Sequence, residues 1–218
     1  MDNINTIFLS FLFYSVIGWI TETIYVDLRQ KKAANRGFLI GPCCPIYGIS
    51  AMSMLFILEK YKHDILILFI MGIVIASFLE YITSLLLEKI FKVRWWDYSD
   101  HLLNIDGRVC LLNSILFGVC CILLFYILNP FTLKMISIIP KNLINYIMIF
   151  LFTIFFIDTV VSFITIYKIK KEINHSLKKD YTEEISFKVK ERLNNKSKLF
   201  RRIINAFPNF DIISKVIK

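Results

Sequence analysis

The stretch ILILFIMGIVIASFLEYITSLLL (residues 65–87) decides the fold class of this chain. It is apolar almost throughout and carries one charged residue, Glu80. A helix needs about 20 such residues to cross the hydrocarbon core of a bilayer. Four more stretches of this kind surround it: roughly Ile7–Val26, Phe38–Leu58, Leu111–Phe131 and Leu143–Tyr167. We predict an all-α, polytopic membrane helix bundle with about five transmembrane helices.

The overall composition supports this prediction. The chain has 218 residues, of which 56% are hydrophobic and 15% aromatic, and its mean hydropathy is +0.61. These values exclude an ordinary soluble domain of this size. The first span has no basic residue before it and contains Glu22, so it is expected to be a retained helix rather than a cleaved signal peptide.

The distribution of Lys and Arg predicts the orientation. The stretches 27–37, 88–110 and 168–218 carry 22 of the 26 basic residues, and the two remaining loops carry four. Because basic residues concentrate on the cytoplasmic side, we expect the N-terminus outside and the C-terminus in the cytoplasm. The predicted location is the plasma membrane.

Two units are expected along the chain. Residues 1–167 form the transmembrane bundle, and residues 168–218 form a basic tail that holds +8 of the net charge of +9. The tail is predicted to be helical and to lie on the membrane surface, where its basic residues meet anionic lipids. Nothing in it resembles a nucleic-acid recognition fold, so nucleic acid is not expected as a partner.

The second span contains Gly41-Pro42-Cys43-Cys44-Pro45, which cannot form a regular helix because proline lacks an N–H donor and restricts the residue before it. One interpretation is a broken helix that starts near Ile46, with the preceding residues lining a pocket. The alternative is a helix start marked by proline at the interface. The residues of this broken-helix motif are Asn35, Gly37, Gly41, Pro42, Pro45, Tyr47 and Gly48.

Three acidic residues are expected at one depth. Glu22, Glu80 and Asp158 each follow the start of their span by 15 residues, or roughly 22 Å along a helix. Arg36 and Arg108 begin the second and fourth spans from the same side and are long enough to reach towards the acids. These five residues are either buried ion pairs that hold the bundle together or a polar cavity for a cation, a proton or a polar head group.

The second cytoplasmic loop holds a further polar cluster. Asp97 and Asp100 are spaced to ligate a divalent ion or to pair with arginine, whereas Trp95, Trp96 and Tyr98 are also typical of residues at a membrane interface. No zinc-ligand spacing, phosphate-binding Gly-Lys-Ser motif or catalytic motif is present, so no metal, cofactor or catalytic residue is predicted. The candidate residues of this loop are Glu88, Arg94, Trp96, Asp97, Tyr98, Asp100 and Asn104.

Taken in order, these motifs resemble a known family. Gly18-Trp19 with Glu22, then Asn35-Arg36-Gly37-Phe38-Leu39 and Gly41-Pro42 through Pro45-Ile46-Tyr47-Gly48, are similar to the CmpB-like family of small bacterial membrane proteins described as putative ABC-transporter type IV permeases. The likeness continues through Leu79-Glu80-Tyr81, Leu87-Glu88, Trp95-Trp96-Asp97-Tyr98-Ser99 and Asn104-Ile105 with Gly107-Arg108. It covers roughly residues 12 to 165. The resemblance implies a permease whose substrate is unassigned.

The first functional hypothesis is therefore the membrane permease subunit of an ABC-type transporter. Its ATPase would be a separate chain, and a homo-oligomer is expected because five spans are few for a permease. The second hypothesis is a membrane enzyme or lipid-binding protein that uses the acidic and aromatic loop at the inner leaflet. The third is a membrane scaffold or regulatory subunit.

Overall fold

The computed structural model describes residues 4–30, 37–91, 95–177 and 197–206. Asn35, Arg36 and Arg94 lie outside these described residues. The structure is 80% helical and forms an all-α bundle. Its helices are α1 (Ile4–Gln30), α2 (Pro45–Leu58), α3 (Ile65–Phe91), α4 (Leu111–Leu123), α5 (Asn129–Ser137), α6 (Lys141–Leu177) and α7 (Lys198–Ala206).

Four described segments are long and apolar enough to cross a membrane: Ile4–Ile24, Ile65–Ile90, Leu111–Ser137 and Lys141–Ile169. They correspond to four of the five predicted spans. The remaining prediction, Phe38–Leu58, is represented by α2, which has 14 residues and is about 21 Å long. The bundle thus contains four full-length helices and one half-length helix among its described residues.

Proline explains where α2 begins. Residues 37–44, here called the connecting segment, are not helical, and Cys44 has an extended backbone (φ −115°, ψ 94°). Pro45 occupies the first turn of α2, where its missing N–H leaves no hydrogen bond unmade. The helix is therefore half-length and begins at a proline.

Small residues bring the helices together in pairs. A Cβ atom placed on Gly48 of α2 would lie 2.2 Å from the Ser15 hydroxyl of α1, and one on Gly72 of α3 would lie 2.5 Å from Cys121 Cβ of α4. Such close approaches are typical of helix packing in membranes, where van der Waals contact drives association. Between the two pairs lies an apolar core built from Tyr14, Met52, Met54, Leu55, Leu58, Leu68, Ala76, Cys121, Leu124 and Phe125.

The span that contains α4 and α5 is not regular. Residues Leu124–Leu128 form a π-helical turn just before Pro130. In a regular helix the proline ring would collide with the carbonyl of Tyr126, and a widened turn relieves such a clash. The side chain of Asn129, beside this turn, accepts a hydrogen bond from the Tyr14 hydroxyl at 3.1 Å.

The end of the bundle that carries the candidate residues is defined by direct contacts. The ring of Phe38 in the connecting segment lies 5.8 Å from the ring of Trp95 and 4.8 Å from that of Phe163 in α6. The connecting segment and the 95–110 loop therefore meet at one end of the bundle. Helix α6 continues past residue 167 and ends at Leu177.

Candidate functional site

Asp158 holds the connecting segment against α6. Its Oδ1 accepts a hydrogen bond from the N–H of Ile40 and its Oδ2 one from the N–H of Gly41, both at 2.9 Å. A side chain on Gly41 would lie 3.0 Å from Oδ2, so glycine keeps this approach open. Because these N–H groups are not in a helix, the carboxylate supplies the acceptors that the backbone would otherwise lack.

Helix α1 holds the other end of the connecting segment. The N–H of Cys44 donates to the carbonyl of Ser15 at 3.0 Å. The thiol of Cys44 donates to Oε2 of Glu22 at 3.7 Å. Glu22 therefore lies beside the last residue of the connecting segment, where α2 begins.

Glu80 of α3 is the most enclosed of the three acids. Only 8% of its surface is exposed, and its Oε1 accepts a hydrogen bond from the Tyr98 hydroxyl at 3.3 Å. Its Oε2 is buried and has no hydrogen-bond partner within the described part of the chain. Glu22 lies within electrostatic range of Glu80. The structure thus brings Glu22 and Glu80 together, with Tyr98 covering Glu80 from the loop.

Tyr98 remains protonated well beyond neutral pH. Burial raises the pKa of Tyr98 above its usual range, and the negative charge of Glu80 raises it further. The hydroxyl is therefore a donor to the carboxylate. Tyr47 of α2 lies within electrostatic range of both Glu22 and Glu80, so two acids and two phenols share this polar region of the bundle.

Arg108 is engaged away from the acid pair. Its Nη1 lies 2.7 Å from Oε2 of Glu88 and donates to the Ser84 hydroxyl at 3.1 Å. Its guanidinium also lies 5.8 Å from the centre of the Tyr81 ring. Glu80, Ser84 and Glu88 are spaced four residues apart on one face of α3. Arg108 therefore fastens the 95–110 loop to α3.

The polar residues of the loop mostly bond within the loop. Asp97 accepts a hydrogen bond from the N–H of Ser99 at 3.0 Å, which forms a local turn. Asn104 accepts from the N–H of Gly107 at 3.0 Å and donates to the carbonyls of Ser99 and His101. The indole of Trp96 donates to the carbonyl of Arg108 at 2.9 Å. Asp97 and Asn104 thus shape the loop.

Trp95 and Asp100 of this loop differ in their exposure. Trp95 is buried, and its ring packs against that of Phe38. Asp100 is exposed. In the parts of the chain that the structure describes, no group of three or more His, Cys, Asp or Glu residues is arranged to hold a metal ion.

One residue of this end was not among the sequence candidates. The guanidinium of Arg202, in α7, donates a hydrogen bond to the carbonyl of Leu39 in the connecting segment. The sequence predicted a tail at the membrane surface. It could not predict this contact, because Arg202 and Leu39 are 163 residues apart and no pattern in the tail indicates a partner in the bundle.

The family of the chain follows from a comparison of its sequence with protein-family models. A family model described as "Putative ABC-transporter type IV" matches residues 9–163. The chain belongs to this family. The matched region of this ABC-transporter family runs from α1 into α6, so it includes Glu22, Glu80 and Asp158 and leaves out α7. No curated protein and no solved structure matches the chain.

Proposed function

We propose that this chain is the membrane permease subunit of an ABC-type transporter and that its ATPase is a separate chain. The family and the apolar helices support a transporter-like membrane protein. The sequence has no phosphate-binding Gly-Lys-Ser motif, which is why the ATP-hydrolysing subunit is assigned to another chain.

The buried carboxylate of Glu80 is the observation that carries the proposal. An acidic group in a membrane helix is costly, about 2.5 to 3.5 kcal/mol near the bilayer centre on insertion scales. The Tyr98 hydroxyl satisfies one oxygen of Glu80. The second oxygen, buried and without a hydrogen-bond partner among the described residues, has the properties of a ligand for a transported group.

The surroundings of Glu80 favour a positively charged or hydrogen-bond-donating substrate. Glu22 adds a second negative charge within range, and Tyr47 and Tyr98 add hydroxyl groups. Two nearby carboxylates repel each other, so a cation or a shared proton between them would be stabilised. Arg108 is paired with Glu88 and is proposed to shape the path rather than to bind the substrate.

The 95–110 loop is proposed as the docking surface for the ATPase. Its internal hydrogen bonds and the Arg108–Glu88 ion pair fix its shape. Leu102, Leu103 and Ile105 are exposed on it. Exposed apolar side chains on an ordered polar loop are typical of a protein-binding surface.

The experiment is affinity purification of the tagged chain from its own membranes, followed by identification of co-purifying proteins and assay of ATP hydrolysis. We expect a stoichiometric ATPase with the wild-type chain. We expect its loss from Leu102→Ser/Ile105→Ser and its retention in Tyr61→Ser, an exposed residue beyond the opposite end of α2. A homo-oligomer without any ATPase would contradict the ABC-type proposal.

Glu80 is tested in the same complex. We expect Glu80→Gln to keep expression, membrane insertion and the bound ATPase. We expect it to lower the transport-coupled hydrolysis rate by about tenfold or more, because it removes the buried negative charge that is proposed to bind the substrate. Glu59→Gln, on the exposed Glu59–Lys62 pair, is the matched control and should change nothing. A Glu80→Gln protein that does not accumulate would support a structural ion-pair role instead.

Two further parts of the proposal concern assembly and orientation. A homo-oligomer would supply the number of helices that a transport path needs. The basic tail would contact anionic lipids of the inner leaflet, with the N-terminus outside and the C-terminus in the cytoplasm of a bacterial cell.

A further inference from the structure

Helix α7 packs against the bundle through one face. Phe200 is buried, with 9% of its surface exposed, and α7 contacts α6. Arg202 is partly buried on the bundle side, whereas its neighbour Arg201 is exposed. A nine-residue helix of this composition would not be stable in water alone, so its position depends on these contacts.

Arg202 lies beside a backbone acceptor and within electrostatic range of one carboxylate. Its Nη2 donates to the carbonyl of Leu39, which is itself buried. Asp158 and Cys44 lie within electrostatic range of the guanidinium. Burial lowers the pKa of Arg202, and the charge of Asp158 opposes that shift.

The guanidinium is only partly satisfied. Its Nε and Nη1 atoms are buried and have no hydrogen-bond partner within the described ranges. Burying donors without acceptors costs free energy, so the charge of Asp158 and the carbonyl of Leu39 must offset a penalty that an exposed arginine would avoid. Guanidinium tolerates such a place better than ammonium because it is more weakly hydrated.

We propose that the connecting segment, with Asp158 beside it and Glu22 next to Cys44, forms a guanidinium-binding site that Arg202 occupies from within the chain. An external ligand with a guanidinium group takes the place of Arg202 when α7 leaves. This deepens the proposed function, because it rests on the transport site lying at this end of the bundle and names the chemical class of its ligand.

Cys44 provides a native reporter of this site. Its thiol donates to Glu22 and lies within electrostatic range of Arg202, and only 4% of the residue is exposed. Burial and the charge of Glu22 raise the pKa of Cys44, so any labelling reports access to a poorly reactive thiol. Cys44 becomes the single thiol in the chain when the other four cysteines are replaced by serine. The replaced residues are Cys43, Cys110, Cys120 and Cys121.

The experiment measures the rate at which a water-soluble maleimide labels Cys44 in the full-length purified chain. We expect Arg202→Gln to raise that rate about tenfold or more, because it removes a charge-assisted hydrogen bond that closes the site. Arg201→Gln, on the exposed side of α7, should stay within about twofold of wild type. Arg202→Lys keeps the charge without the planar fork and should give an intermediate rate.

Ligand binding is tested with butylguanidinium as the probe. We expect it to slow the labelling of Cys44 in Arg202→Gln back towards the wild-type rate, and we expect butylammonium of equal charge to be less effective. A wild-type labelling rate in Arg202→Gln, or no protection by butylguanidinium, would overturn the inference. Both measurements use the isolated chain, so absence of an ATPase partner would refute the proposed function without deciding this one.

Discussion

The ring of Tyr47 occupies the space where a side chain of residue 18 would stand: a Cβ atom on Gly18 would lie 2.3 Å from Cγ of Tyr47. Gly18 lies in α1, four residues before Glu22, and Tyr47 lies in the first turn of α2. The absence of a side chain in one helix thus positions an aromatic residue of the next helix beside the acid pair.

Gly18→Ala should therefore destabilise the protein. The added methyl group would push the Tyr47 ring and α2 away from α1, at a cost of about 1–3 kcal/mol in the free energy of unfolding. Thermal unfolding in detergent measures the change. Ile20→Ala, at an exposed position of the same helix, is the control and should have a smaller effect. Equal stability of Gly18→Ala and wild type would show that α2 does not pack as described.

Asp158→Ala should loosen the connecting segment. It removes the carboxylate that accepts from the N–H groups of Ile40 and Gly41, and because both residues are only partly buried, we expect a cost of about 1 kcal/mol for each. Asp158→Asn keeps one acceptor oxygen and should therefore lose less stability than Asp158→Ala. Thr153→Ala, an exposed position of α6, is the control. Protease resistance and melting temperature would test the expected order of wild type, asparagine and alanine. If Asp158→Asn and Asp158→Ala both leave stability unchanged, Asp158 does not hold the connecting segment in place.

The ion pair between Arg108 and Glu88 should show measurable coupling. Their side chains are 12% and 17% exposed, so solvent screens the pair poorly. A double-mutant cycle with Arg108→Gln and Glu88→Gln should give a coupling free energy of about 1–2 kcal/mol. The Lys62–Glu59 pair, 48% and 57% exposed, is the internal comparison and should give about 0.5 kcal/mol or less. Similar coupling in both pairs would contradict the burial argument.

Stability should fall at alkaline pH through Tyr98. Its pKa is raised in the folded state, first by burial and then by Glu80, so the stabilisation is complete below the ordinary tyrosine pKa of about 10 and is lost as pH rises beyond it. Tyr98→Phe should make the decline between about pH 9 and 11 shallower. Tyr146→Phe, at a largely exposed residue, should leave the slope unchanged. An unchanged slope in Tyr98→Phe would place Tyr98 in water.

Local chemistry allowed the broken second span to be predicted. Proline lacks an N–H and restricts its predecessor wherever it stands, so Pro42 and Pro45 predicted a helix that starts near Ile46 and ends near Leu58, and α2 spans Pro45–Leu58. The all-α membrane bundle followed from length and hydropathy in the same way. The π-helical turn was missed, although Pro130 within a predicted span was a signal for it.

The sequence could not predict which groups of the polar site contact each other. Helical rise predicts one depth for the three acids but not the direction in which each faces, because that depends on how the helices rotate against each other. Arg108 was expected to reach towards the acids and instead pairs with Glu88, and Asp158 bonds to backbone N–H groups that no side-chain pattern reveals. Whether Glu22 and Glu80 bind a transported group remains a prediction.

The anchoring of the connecting segment has a consequence for biosynthesis. Ile40 and Asp158 are 118 residues apart in the chain, so the N–H of Ile40 gains its acceptor only after α6 has left the ribosome. Until then α1 and α2 enter the membrane beside a segment whose polar groups must be satisfied by water or by the insertion machinery. Among the described residues, α6 is the last full-length helix to be translated, and it completes the second predicted span. A nascent chain stalled before α6 should therefore be a substrate for membrane quality control.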